Sequence, residues 1–152
     1  MQKSSGILER FGHISAIATA LIAIFALVIA VWQIQASAKV EREASAREAF
    51  KDYLKIAIDK PELADAQQGA IDKNAKSRSS YNWFVTYFLY SAEQIFDSYP
   101  NDPYWQAGLA EEICYHQTYL SSAEFQQSLP QQHGGKFAAF IMDSLQNCPA
   151  DS

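Results

Sequence analysis

Basic residues almost vanish from the second half of this chain. From Ser79 to Ser152 there is one base, Lys136, against eight acids, and no arginine follows Arg78. Phosphate binding needs clustered lysine or arginine, so the composition argues against nucleic acid as a partner of this half. The same acidity repels anionic lipid and leaves either a solvated face or a surface open to a basic partner. Glycine is scarce, six in 152 residues, which argues against a turn-rich β fold. Cysteine occurs only at Cys114 and Cys148, with no CxxC or Cys/His ligand spacing. The pair would bridge in an oxidising compartment and stay as thiols in a reducing one. Walker A, GxGxxG, GxSxG and HExxH motifs are all missing. Gly134-Gly135-Lys136 lacks the spacing and the preceding strand of a phosphate loop. No catalytic residue, metal site or cofactor is assigned on these grounds.

What is present, first, is a long apolar run. Ile14 to Ile34 carries no charge, and eleven of its 21 residues are Leu, Ile, Val or Phe. A helix of that length spans about 30 Å, the hydrocarbon thickness of a bilayer. Each large apolar residue contributes roughly −0.3 to −0.6 kcal/mol to insertion. Trp32 suits the lipid–water interface at one end. A cleaved signal peptide is the rival reading, with Ala36-Ser37-Ala38 as its A-x-A site, but signal apolar regions usually run to about 7–15 residues. An uncleaved anchor is therefore expected, with residues 1–11 as a short tail, 12–36 as a transmembrane helix and 37–152 as a membrane-proximal helical domain. The flanking bases, Lys3 and Arg10 before the run and Lys39, Arg42, Arg47 and Lys51 after it, lean weakly toward a cytoplasmic domain.

Small residues recur through the anchor at Gly12, Ala16, Thr19, Ala23, Ala26 and Ala30, at spacings that alternate between four and three. Helices in lipid associate by close packing, which small residues permit, so this stripe is a candidate packing seam. Alanine is also common in membrane helices, and the asymmetry could be accidental.

Past Lys39 the periodicities are helical. Val40, Ala44, Phe50, Leu54, Ala57 and Ile58 define an apolar face interrupted by Arg47. Asp59-Lys60-Pro61-Glu62 ends that helix and starts a short one. Residues 69–80 are polar and read as a loop, with Ser79 or Ser80 as the next cap. The following helix is apolar nearly all round. Tyr81, Phe84, Val85, Phe88, Ala92, Ile95, Phe96 and Tyr99 form one face, and Trp83, Tyr87 and Tyr90 form a second stripe. Ten of the 20 aromatics lie between Tyr81 and Trp105, which makes this segment the expected centre of the core. Trp83, Tyr87 and Tyr90 are a candidate partner surface if the bundle leaves them exposed. Asp102 with Pro103 opens a helix expected to reach Leu120, buried through Trp105, Leu109, Ile113 and Leu120. Ser121 with Glu124 fits a capping box. A short helix near Phe125 to Leu129 is expected to stop at Pro130, and a last one runs through Phe137, Phe140, Ile141 and Leu145. The fold class is all-α: one N-terminal transmembrane helix followed by a small antiparallel helical bundle.

Glu112 and His116 stand four apart on one helix face, a geometry open to a metal or a general base. Zinc needs three or four ligands and no second cluster is evident, so an ordinary Glu–His pair is the expected reading. His133 falls in a loop.

Short stretches of the chain resemble an uncharacterised group of small bacterial proteins with one N-terminal anchor and a compact helical domain. They are Arg47-Glu48-Ala49-Phe50 leading to Tyr53-Leu54, then Pro61-Glu62-Leu63, Tyr104-Trp105 and Ser122-Ala123-Glu124-Phe125. The resemblance implies this architecture, in a bacterial inner membrane, and carries over no activity. The expected function is a membrane-anchored interaction or assembly module without enzymatic activity. Its partners would be the lipid bilayer and a protein or second copy met through the transmembrane helix. The alternatives are an accessory subunit of a larger membrane complex, or a metal-dependent sensor or enzyme using Glu112 and His116.

Overall fold

The computed structural model describes the backbone of residues 5–149 and the side chains of residues 19–149. Eight helices and no strand occupy the described residues: α1 (Ser5–Asp59), α2 (Pro61–Ala64), α3 (Gln68–Ile71), α4 (Ala75–Ser98), α5 (Pro103–Tyr115), α6 (Gln117–Leu120), α7 (Ala123–Gln132) and α8 (Gly135–Gln146). The chain divides into two compact units, Met1–Glu41 and Arg42–Ser152.

In the first unit, α1 is long and apolar enough to cross a membrane, with a mean hydropathy of 2.1 over its most apolar window. None of that window is buried inside the structure. The core helix of a water-soluble fold would be largely covered by its neighbours.

The second unit begins within α1 and is organised around α4. Tyr81, Phe84, Val85, Phe88, Ala92 and Ile95 are buried as the periodicity requires, and Leu89 and Ser91 join them. The last part of α1 joins the core through Ala46, Phe50, Tyr53 and Ala57. Tyr53 is fully buried, its ring 5.3 Å from Phe84 and 5.1 Å from Phe88. Phe50 and Ala57 of the expected face meet the core, but Val40, Leu54 and Ile58 are exposed, and Ala46 and Tyr53 are covered instead. Arg47 lies beside that face, where it donates to the Tyr99 hydroxyl and pairs with Glu43 at 3.9 Å.

The turns follow from local chemistry. Pro61 occupies the first turn of α2, where a missing N–H costs nothing. α2 ends in a Schellman motif: Gln67 N bonds Glu62 O at 3.0 Å and Ala66 N bonds Leu63 O at 3.3 Å. Ala66, at φ 48°, takes the left-handed position that glycine usually fills. The polar stretch at 69–80 is mostly helical. Asn74, not Ser79 or Ser80, caps α4, its Oδ1 accepting from Ser77 N at 2.9 Å. Asp102 caps α5 as expected, accepting from Tyr104 N and Trp105 N. α5 stops at Tyr115, and α6 resumes after His116. Ser122, one residue beyond the expected Ser121, caps α7 by accepting from Phe125 N at 3.3 Å. α7 runs through Pro130, and His133 N still reaches Leu129 O at 3.1 Å.

α5 and α8 pack side by side, and Cys114 of α5 is joined to Cys148, just past α8. Their Cα atoms are 5.4 Å apart, inside the range a disulfide requires. Phe96 of α4 meets Phe137 and Phe140 of α8 at 5.5 and 5.0 Å, which closes the bundle.

Candidate functional site

The anchor seam is placed in part. Gly12 and Ala16 have side chains outside the described residues. Thr19, Ala23, Ala26 and Ala30 lie on α1 and are exposed, as are Leu21, Phe25, Val28 and Trp32 of the same helix.

The aromatic stripe on α4 is left largely uncovered. Trp83 is 72% exposed and Tyr90 59%, and Tyr87 between them is half-buried. All three sit in the middle of a 24-residue helix whose other face is the core. Leucine or alanine would satisfy helix propensity there, so two wide aromatic rings in water are unexplained by folding.

Glu112 and His116 are drawn to different partners. The Tyr53 hydroxyl donates to Glu112 Oε2 at 2.8 Å. Burial raises the Glu112 carboxyl above its ordinary range, and that hydrogen bond only partly offsets it. The same carboxylate, after burial, helps hold the Tyr53 phenol far above its usual value. His116 is fully buried between α5 and α6, with its Nδ1 3.0 Å from the Tyr81 hydroxyl. Tyr81, Phe84 and Phe88 surround the ring at 5.7, 5.8 and 5.7 Å. Nε2 meets no polar partner among the described residues. Removal from water disfavours the charged imidazole and lowers its pKa to about 4. The two residues thus face different groups, where an ordinary Glu–His pair was expected. No group of three or more His, Cys, Asp and Glu side chains suited to a metal occurs among the described residues.

One polar cluster has no signature in the sequence. Glu93 of α4 and His133, between α7 and α8, are 40 positions apart and meet at 2.7 Å. Only the position of Glu93 on the less apolar side of α4 hints at a partner. Gly134 sits close beside them, and a Cβ there would approach Glu93 Oε1 to 3.1 Å, a tight contact.

Comparison with protein-family models, with curated proteins and with solved structures finds no match for this chain.

Proposed function

We propose that the chain is a single-pass membrane protein whose helical domain serves as an interaction or assembly module. One observation carries the reading. An apolar stretch of spanning length, none of it covered by the protein's own fold, shares its helix with the first wall of a folded domain that presents Trp83 and Tyr90 to solvent. Exposed apolar surface on that scale needs lipid or protein to cover it. The seam of Gly12, Ala16, Thr19, Ala23, Ala26 and Ala30 packs against the same helix of a second copy, and the aromatic stripe on α4 adds a contact outside the bilayer. Glu112 and His116 serve the core rather than chemistry.

The Cys114–Cys148 bridge bears on the side of the membrane. Structural disulfides persist in oxidising compartments. The domain therefore lies on the non-cytoplasmic side, with the amino terminus inside, against the weak lean of the flanking bases. The α1 helix also continues without a break through Ala36-Ser37-Ala38, in keeping with an uncleaved anchor.

Replacing Ala16, Ala23 and Ala30 with Leu in the full chain tests the seam in a reporter assay of transmembrane self-association. The signal is expected to fall, and an unchanged signal rejects the seam. A second reading, an accessory subunit of a larger complex, predicts co-purification with unrelated membrane proteins in place of self-association.

A further inference from the structure

The spacing of the anchor seam does not stop with the anchor. Its alternating steps of four and three, from Gly12 to Ala30, continue along α1 as Gln33, Ser37, Val40, Ala44, Arg47, Lys51, Leu54 and Ile58. All eight of these later residues are exposed. Between Lys39 and Asp59 four large apolar side chains are exposed: Val40 at 66%, Leu54 at 41%, Ile56 at 39% and Ile58 at 78%. Three of them fall on the repeat, where two positions in every seven would take about one of the four by chance.

A single exposed apolar residue needs no explanation. Here the second half of α1 carries two stripes of the same spacing. Ala46, Phe50, Tyr53 and Ala57, also four and three apart, enter the domain's own core. The stripe that holds Leu54 and Ile58 is left bare. Arg47 and Lys51 interrupt it with charge, but each brings its own acid. Arg47 pairs with Glu43 at 3.9 Å and Lys51 with Glu48 at 3.1 Å. In a parallel, in-register helix pair the layer of Arg47 is flanked by Glu48 of the facing helix, so the stripe is complementary in charge to a copy of itself. Charged layers of this kind cost stability and fix register.

We propose that α1 of a second copy lies parallel along this whole repeat, from the anchor seam to Ile58. The proposal rests on the reading of the anchor as a membrane helix with a self-packing seam. Two copies inserted in one bilayer with one topology run parallel, and a two-fold pair sets the same stripe against itself. A strict seven-residue repeat drifts about 20° per heptad on a straight helix, so the two helices wind left-handed about each other. The contact does not call on Trp83 or Tyr90.

Cysteine cross-linking of the full chain in its membranes tests this. Single substitutions are oxidised with copper phenanthroline in air and run on a non-reducing gel. Cys114 and Cys148 are bridged to each other, so the unsubstituted chain serves as the blank. Val40→Cys, Ala44→Cys, Leu54→Cys and Ile58→Cys are expected to shift from 17.0 kDa to twice that mass. Ser45→Cys and Ile56→Cys, exposed but off the repeat, are expected to stay at the single mass. Ala30→Cys reads the anchor seam by itself. A cross-link at Ala30 with none at Leu54 and Ile58 overturns this inference and keeps the seam. No cross-link at any position overturns both. Cross-links at Ser45 and Ile56 as strong as those on the repeat, or at Leu54 and Ile58 without Ala30, overturn the shared repeat.

Discussion

Protonation of His116 is the clearest acid liability of this domain. The imidazole is fully buried, and its pKa falls from 6.5 in the unfolded chain to about 4 in the folded one. Below about pH 6.5 the unfolded chain therefore takes up a proton that the folded chain refuses, and stability declines as the pH falls. The slope approaches 1.36 kcal/mol per pH unit, and over the interval down to about pH 4 the loss reaches about 3 kcal/mol. Below that the folded ring protonates too and the loss levels off. Glu112 works in the opposite sense, because burial raises its carboxyl and favours the folded state as acid is added. The contribution of His116 is therefore isolated by difference. His116→Leu alone leaves the buried Tyr81 hydroxyl without its partner, at a cost of about 1–3 kcal/mol. Tyr81→Phe with His116→Leu removes both polar groups from the cage of Phe84 and Phe88. The double variant is expected to match wild type within about 1 kcal/mol near neutral pH and to be the more stable protein near pH 4.5. Urea unfolding followed by near-ultraviolet circular dichroism, in detergent across that pH interval, reads both. A double variant that loses stability with acid as steeply as wild type refutes the reasoning.

Three further outcomes follow from the structure. Replacing Cys114 and Cys148 with Ser opens a link spanning 34 positions, and loop-closure entropy sets the expected loss at about 4 kcal/mol, read as a lower urea midpoint. Tyr53→Phe removes the hydrogen bond to Glu112 while keeping the ring between Phe84 and Phe88. It is expected to cost about 1–3 kcal/mol and to raise the Glu112 carboxyl further, which carboxylate-resolved NMR titration would detect. Ala66→Gly relieves a left-handed alanine worth about 1–2 kcal/mol and adds unfolded-state freedom of about 0.4–1 kcal/mol, so a net gain of roughly 0.5–1 kcal/mol is expected in the same unfolding assay.

Local signals carried much of this architecture. The proline starts at Pro61 and Pro103, the Asp102 cap and the inward stripe of α4 each depend on a few adjacent residues, and the structure has them as the patterns indicate. The end of α1 shows where periodicity runs out. Leu54 and Ile58 lie one position from Tyr53 and Ala57 on the helix, and both sides are apolar there, so only the fit against Phe84 and Phe88 selects Tyr53. The start of α4 is masked by Ser79 and Ser80, which look like caps, although Asn74 earlier in the chain already satisfies the first turn. Pro130 looks like a stop, but near the end of α7 it removes one amide partner and the turn beyond it still closes at His133. Glu112, His116 and Glu93 illustrate the limit for site chemistry. Their partners Tyr53, Tyr81 and His133 lie 59, 35 and 40 positions away, and no local spacing encodes such meetings. The pairing of Cys114 with Cys148 was an open alternative for the same reason.

Protease treatment of intact spheroplasts that express the full chain with an amino-terminal tag tests the membrane assignment most directly. The account predicts that protease added outside removes the helical domain and leaves a short tagged fragment that resists carbonate extraction. A full-length chain that is protected until the membrane is lysed, or that leaves the membrane in carbonate, contradicts it.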